Sequence, residues 1–168
     1  MGDWKDKASE LLSKQLNNEY TAFYFYTSCS SYFDKKNVEL PGLKKFFRKM
    51  AEEELEHAQG IINFMNARGM TVSFLQVKDF KTNYESVVDV LVKSIDFEEK
   101  VLKDLSLIYK EAEESNDYTT TTFLDPYVIE QVESIKELNS LKVNAERCMD
   151  PLGIYLFDQQ FLAKRRKK

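Results

Sequence analysis

Glu54 and His57 stand three residues apart in the run EEELEHAQ, and His57 is the only histidine of the chain. On a helix, residues at this spacing share a face, so both side chains project from one side. A Glu-x-x-His pair can thus offer a carboxylate and an imidazole to one metal ion. The same run also fits a solvated acidic helix, and the face that His57 occupies decides between the two. Glu19, Glu98 and Gln131 raise the same question, each in an otherwise apolar setting. Three carboxylates sharing one core would repel one another unless protonated or matched by cations. A bound dication resolves that problem. Oxygen-rich donors with a single imidazole suit iron, or manganese in its place, and no thiolate favours a structural zinc site.

These residues need four helices to carry them. The periodicity predicts a first helix over about Trp4 to Asp34, ending before Leu40-Pro41-Gly42, and a second over about Leu43 to Ala67, stopped by Arg68-Gly69. A third runs from about Asn83 to Glu113 and gives way to Ser115-Asn116-Asp117. A fourth covers about Tyr118 to Arg147, and a short fifth follows Asp150-Pro151, an N-cap acid and an N1 proline. The threonines 119–122 are β-branched and Pro126 follows, which predicts a late start or a bend in the fourth helix. The segment Met70 to Thr82 lacks helical patterning. At ~3.3 Å per extended residue it spans ~40 Å, about the length of a 27-residue helix. The fold class is therefore all-α: two antiparallel hairpins joined by one long crossover between the second and third helices, plus a short fifth helix.

Each helix has an apolar stripe in steps of three and four, and each stripe has a polar break. The stripes read Leu12, Leu16, Glu19, Phe23, Tyr26, Phe33; Phe47, Met50, Glu54, His57, Ile61, Phe64; Val88, Leu91, Ile95, Glu98, Leu102, Leu105, Tyr109; and Val128, Gln131, Ile135, Leu138, Ala145, Met149. Glu19, Glu54, His57, Glu98 and Gln131 face inward on this reading, whereas Glu52, Glu53, Glu56 and Glu99 lie off the stripes. Lys142 is the only charged break in the fourth stripe and lies about three turns beyond Gln131, so cations to match the acids are scarce. Tyr26, two turns from Glu19, is placed to hydrogen-bond a ligand or donate an electron, or else is a core aromatic.

The 168 residues suit one domain, spanning 1–168. A net charge of −4 gives no general nucleic-acid surface, and the basic run Lys164 to Lys168 reads as a solvated terminus. Cys29 and Cys148 read as reduced thiols, no apolar run approaches a membrane span, and a signal-peptide core is absent from MGDWKDKASE. A cytoplasmic protein without a membrane partner is the expectation.

The residues that carry the metal pattern also carry a resemblance. LNNEYTAFYFY, SYFDKKNVELPGLKKFF, EEELEHAQ, ARGMTVSFLQ, YVIEQVESIKEL and GIYLFD occur in the order of the corresponding segments of ferritins. Over nearly its whole length the chain resembles the heavy-chain, ferroxidase-type subunits, whose full metal set it carries; light-chain subunits lack that set. The resemblance implies a ferritin-like four-helix bundle and a 24-subunit cage that oxidises Fe(II) with O₂ and stores it as ferric mineral. It assigns two irons per subunit: Glu19, Glu54 and His57 to one, Glu54 as a bridge and Glu98 to the second, with Gln131 close by and Tyr26 beside the centre. Glu53 and Glu130 match positions that in some members take a third iron in transit. Glu53 with Glu56 resembles inner-surface acids where mineral nucleates; a solvated helix face is the other reading.

One comparison sharpens this resemblance and one departure qualifies it. The stretch Glu130-Gln131-Val132-Glu133 stands where bacterioferritins and many di-iron oxygenases have a second Glu-x-x-His, which favours ferritin proper. The segment TTTTFLDPY has only Asp125 where animal ferritins place an Asp and a Glu along a three-fold uptake channel. The rival readings are another di-iron carboxylate bundle oxidoreductase, which would need an organic-substrate pocket and usually a second histidine, and a non-catalytic cage subunit whose core polar groups only hydrogen-bond.

Overall fold

Short polar and glycine signals end the helices and cut the polypeptide into five. The computed structural model describes residues 2–163, and its helices are α1 (Gly2–Phe33), α2 (Pro41–Ala67), α3 (Val87–Glu114), α4 (Tyr118–Arg147) and α5 (Pro151–Ala163). The architecture is the expected all-α one, with no strand among the described residues. α1 packs chiefly on α2 and α3 on α4, α1 also meets α3, and α5 lies mainly on α2. The basic run Lys164 to Lys168 lies outside the described residues.

At the end of α2, Gly69 takes the left-handed φ of 63°, and Met70 N–H donates back to Met65 O at 2.9 Å. Asn116 does the same at the end of α3, with φ 55° and Asp117 N–H donating to Ala112 O at 2.8 Å. Both are C-caps in which a left-handed residue lets the next N–H satisfy an orphan carbonyl. At the start of α5, Asp150 Oδ1 accepts from Gly153 N–H at 3.0 Å, as the Asp-Pro signal implied.

Three helices start away from their expected first residues, α1 at Gly2 rather than Trp4 and the two that follow it, while α4 starts at Tyr118 as its bounds predict. α2 begins at Pro41 rather than Leu43, because its first free N–H groups find a distant cap: Asp158 of α5 accepts from Gly42 N at 3.1 Å and Leu43 N at 2.7 Å. α3 begins at Val87 rather than Asn83, because Ser86 accepts from Asp89 N–H at 3.0 Å and sets the N-cap there. α4 does not start late. Asp117 caps it, accepting from Thr120 N–H at 3.2 Å, and the helix is continuous through Pro126. Pro126 and Thr122 are both exposed, so the carbonyl deprived of its i+4 donor can turn to water. The fourth stripe is also corrected at its end: Met149 lies beyond α4 and is 64% exposed, while Leu141 is buried in its last turns.

The crossover, residues 70–86, follows α1 through a ladder of side-chain bonds. Ser9 Oγ accepts from Thr71 N–H at 3.3 Å, Ser13 Oγ accepts from Ser73 N–H at 3.0 Å, and Asn17 Nδ2 donates to Leu75 O at 3.3 Å and Gln76 O at 3.1 Å. Residues 9, 13 and 17 stack one turn apart on the helix, and alternate residues of an extended segment face the same way, so the two periods meet.

Asp117 ties one end of the bundle. Its carboxylate accepts from Trp4 Nε1 of α1 at 2.9 Å, Arg68 Nη1 at the end of α2 at 2.8 Å, and Thr120 of α4, while its N–H bonds the last turn of α3. Burial alone would raise its pKa, but the bonds from Thr120, Trp4 and Arg68 outweigh burial and hold it at about 2, against 3.8 ordinarily. A carboxyl lowered in the folded state adds stability that is complete above the unfolded value and is lost as pH falls through the folded one. We expect about 2 kcal/mol to vanish between roughly pH 4 and pH 2. Acid unfolding followed by the lone tryptophan should be flatter across this window in Asp117→Asn than in wild type; parallel curves would refute the assignment.

Candidate metal centre

The bundle core is two apolar clusters, not one. One contains Tyr26, Phe33, Phe47, Leu91 and Leu138; the other contains Leu12, Leu16, Ile61, Leu105 and Leu124. Each long helix passes from one to the other through its polar residues. Glu19 falls between Leu16 and Ala22, Glu54 and His57 between Ala51 and Ala58, Glu98 between Ile95 and Val101, and Gln131 between Leu124 and Leu138. The stripes therefore deliver five polar side chains to one level of the bundle.

At that level Glu19, Glu54 and His57 converge, with one ligand atom of each within 4.8 Å of the others. His57 Nδ1 lies 3.4 Å from Glu54 Oε2 and 3.6 Å from Glu19 Oε2. Its other nitrogen, Nε2, lies 3.1 Å from Glu130 Oε2 on α4. The imidazole thus stands between an inner pair of carboxylates and an outer one. A hard, oxygen-preferring dication with tolerance for one nitrogen fits this donor set.

Without a metal, the cluster balances its charge with protons. Burial alone would lower the His57 pKa, but its bonds and attraction to Glu19 and Glu54 outweigh burial and lift it to about 11. Burial, then the adjacent Glu19, pushes Glu54 well above the ordinary carboxylate range. Burial also works to raise Glu19, yet hydrogen bonds from Glu54 and His57 hold it below its usual value. The cluster therefore holds a proton on the imidazole, with Glu54 pushed toward its protonated form and Glu19 toward its ionised one.

Glu98, 3% exposed, is held from two sides. Tyr26 donates its hydroxyl to one carboxylate oxygen, and Gln131 Nε2 donates to the other and to the Glu98 carbonyl at 2.9 Å. Burial pushes Glu98 up to about 7, and these two donors oppose a further rise. Glu53 is not brought into the group: it is half exposed and 3.5 Å from Lys49 Nζ. Glu56 and Glu99 are exposed.

Two participants escaped sequence reasoning. Gln15 is fully buried and donates from Nε2 to Glu19 Oε1 at 2.9 Å. Tyr127 places its ring against His57, with 5.5 Å between centroids, and donates its hydroxyl to the His57 carbonyl at 3.1 Å. Each lies one turn from a polar stripe residue, Gln15 before Glu19 and Tyr127 before Gln131, and that spacing was the available signal.

The profile of the Ferritin family, described as a ferritin-like domain, matches residues 9–148. The chain belongs to the ferritin family. Ferritin-1, chloroplastic, of Pisum sativum is 32% identical over 166 residues, covering 95% of this chain and 66% of that protein. Soma ferritin of Lymnaea stagnalis is 32% identical over 154 residues, covering 90% of this chain and 88% of that protein. A protein named ferritin heavy chain, from Echinococcus granulosus, is 33% identical over 153 residues, with the same two coverages. The chain spans 66% of the length of the Pisum sativum ferritin and of a chloroplastic ferritin from Malus baccata var. xiaojinensis. In this ferritin-family chain the segment TTTTFLDPY forms the start of α4, where Thr120 and Thr121 are buried and Asp125 is exposed. No helix among the described residues is long and apolar enough to cross a membrane.

Proposed function

We propose that residues 1–168 form one ferritin-like di-iron domain, a ferroxidase-type subunit of a 24-subunit iron-storage cage. Fe(II) and O₂ are its substrates, and a cytosolic location belongs to the same reading. The observation that carries it is the meeting of Glu19, Glu54, His57, Glu98 and Gln131 between two apolar clusters. The name ferritin heavy chain of one relative supports it further.

Glu19, Glu54 and the Nδ1 side of His57 would hold one Fe(II), and Glu54 with Glu98 the second. Tyr26 and Gln131 orient Glu98, and Tyr127 and Gly60 restrict the space behind His57: a Cβ at Gly60 would lie 2.5 Å from the Tyr127 hydroxyl. Each Fe(II) gives up one electron, so a pair supplies O₂ with two at once and no one-electron product escapes. Glu130 and Glu53, nearer the surface, would receive oxidised iron in transit. Apoprotein given Fe(II) in air should oxidise it faster than buffer does, and should elute far above its 19.7 kDa chain mass in gel filtration. A buffer-like rate with an intact cage would leave a non-catalytic subunit instead.

Metal binding must displace the protons of His57 and Glu54, because a ligand nitrogen or carboxylate binds in its deprotonated form. His57, lifted to about 11, holds a proton at neutral pH, and burial and Glu19 push Glu54 well above its normal range toward the protonated form. Affinity for Fe(II) under anaerobic conditions should therefore rise with pH, with at least the His57 proton, about one per filled site, released near pH 7. Calorimetry in buffers of different ionisation enthalpy measures that number directly, and zero release would contradict the protonation pattern.

A further inference from the structure

Glu19 uses its two oxygens differently. Oε2 faces His57 Nδ1 at 3.6 Å, while Oε1 accepts from Gln15 Nε2 at 2.9 Å. From Gln15 a chain of bonds leads out of the core. Gln15 Oε1 accepts from Asn18 Nδ2 at 3.1 Å, and the same Nδ2 donates to Asp104 Oδ2 at 3.0 Å, crossing from α1 to α3. Asp104 is 41% exposed at its side chain and lies 3.4 Å from Lys100 Nζ.

Both ends of this chain are carboxylates that can only accept, and both middle members are amides, which can turn over and exchange N–H₂ for oxygen at no cost in shape. An acceptor at position 104 draws the Asn18 nitrogen to the junction. That nitrogen then requires the Gln15 oxygen, and Gln15 must present its nitrogen to Glu19. A donor at position 104 would reverse every member: Asn18 would turn its oxygen to the junction, Gln15 would donate to it, and Gln15 Oε1 would meet Glu19 Oε1. Gln15 is 0% and Glu19 3% exposed, so no bulk water could relieve two acceptors facing each other.

We propose that Asp104 is a positioning residue of the metal centre. Through Asn18 and Gln15 it sets which atom of the buried amide meets Glu19, which holds Oε1 in place and leaves Oε2 free for the metal. The proposal rests on Glu19 being a metal ligand. Partners that orient a ligand typically contribute roughly 10- to 100-fold to metal affinity, and Asp104, acting through two amides, should lie near the lower end.

The test is Co²⁺ titration of the assembled, metal-free full-length chain, with binding read by calorimetry. Wild type, D104N, D104K, N18L and the N18L/D104K pair are compared. D104N keeps an oxygen for Asn18 and should bind as wild type does. D104K should weaken the Glu19 site roughly tenfold. In the N18L background the same D104K change should cost much less, because only its long-range charge then acts and the loss of the Lys100 contact is common to both backgrounds. Equal costs in the two backgrounds, or no cost in either, overturn the relay. Should N18L fail to fold, salt makes the same separation with D104K alone. A charge effect is screened between about 0.05 and 0.5 M salt, and a turned amide is not. A loss that persists supports the relay; one that disappears overturns it. Wild type that binds no more Co²⁺ than a Glu54→Ala, His57→Ala variant overturns the ligand reading and the relay with it. Normal wild-type binding without coupling overturns the relay alone.

Discussion

Alanine at both Glu54 and His57 should lower the initial rate of aerobic Fe(II) oxidation by at least about 100-fold, because outer partners of metal ligands already cost roughly 10- to 100-fold and in the proposed centre these two are the ligands themselves. The pair supplies two of the three groups that converge at the inner cluster, and Glu54 is the bridge to Glu98 in the proposed arrangement. The fold should survive the change. Neither residue belongs to the two apolar clusters, and removing a carboxyl that burial pushes well above the ordinary carboxylate range relieves a desolvation cost as well as opening space. Far-UV circular dichroism and elution volume should therefore match wild type. Equal initial rates for variant and wild type, at matched iron and protein, would sink the ferroxidase reading.

Gly42→Ala should be the most damaging small substitution. A Cβ there would lie 2.0 Å from the Asp158 carbonyl oxygen and 3.0 Å from its carbonyl carbon. Those are backbone atoms of α5 and cannot rotate away. The helix must move off, and in moving it withdraws the Asp158 carboxylate from Gly42 N–H and Leu43 N–H, leaving two buried donors at the start of α2 unpaired. Overpacking and lost caps together should cost about 3 kcal/mol, and the thermal midpoint should fall by roughly 6 to 12 °C. Asp158→Asn tests the cap without the clash and should cost less. A Gly42→Ala midpoint within a degree or so of wild type would show that α5 docks without this close approach.

The level of the inward polar residues was legible because an intruding charge on an apolar stripe is conspicuous. Glu98 and its neighbour Glu99 differ only in face, and periodicity alone put one inside and the other in water. Gln15 was illegible for the converse reason: a glutamine beside Leu16 looks like surface, and its burial follows from Glu19 needing a donor. The helix starts show where local rules yield to distant ones. Four threonines and a proline argue against a helix start at Tyr118, yet Asp117 caps it there while bonding to Trp4 and Arg68. Asp158 caps α2 from more than a hundred residues away, a contact no local pattern announces. Glu130 and Glu53 illustrate the limit of facing arguments, since both lie off the stripes but only Glu130 reaches His57, from a different helix.

The ladder between α1 and the crossover has a built-in vernier. Four helical residues advance about 6.0 Å and two extended residues about 6.6 Å, so each rung slips by about 0.6 Å against the last. By the third rung the slip is about 1.2 Å, more than the useful range of a hydrogen-bond length. Asn17 stands at that point and divides its amide between Leu75 and Gln76, after which the crossover is held by ring packing such as Phe25 on Phe80, 5.6 Å apart, and by side-chain bonds joining Ser28 to Tyr84 and Lys35 to the Thr82 carbonyl. The first half of the segment is consequently intolerant of length change in a way loops seldom are. Deleting one residue between Thr71 and Leu75 turns every following rung to the wrong side, whereas the same deletion beyond Phe80 meets no such ruler.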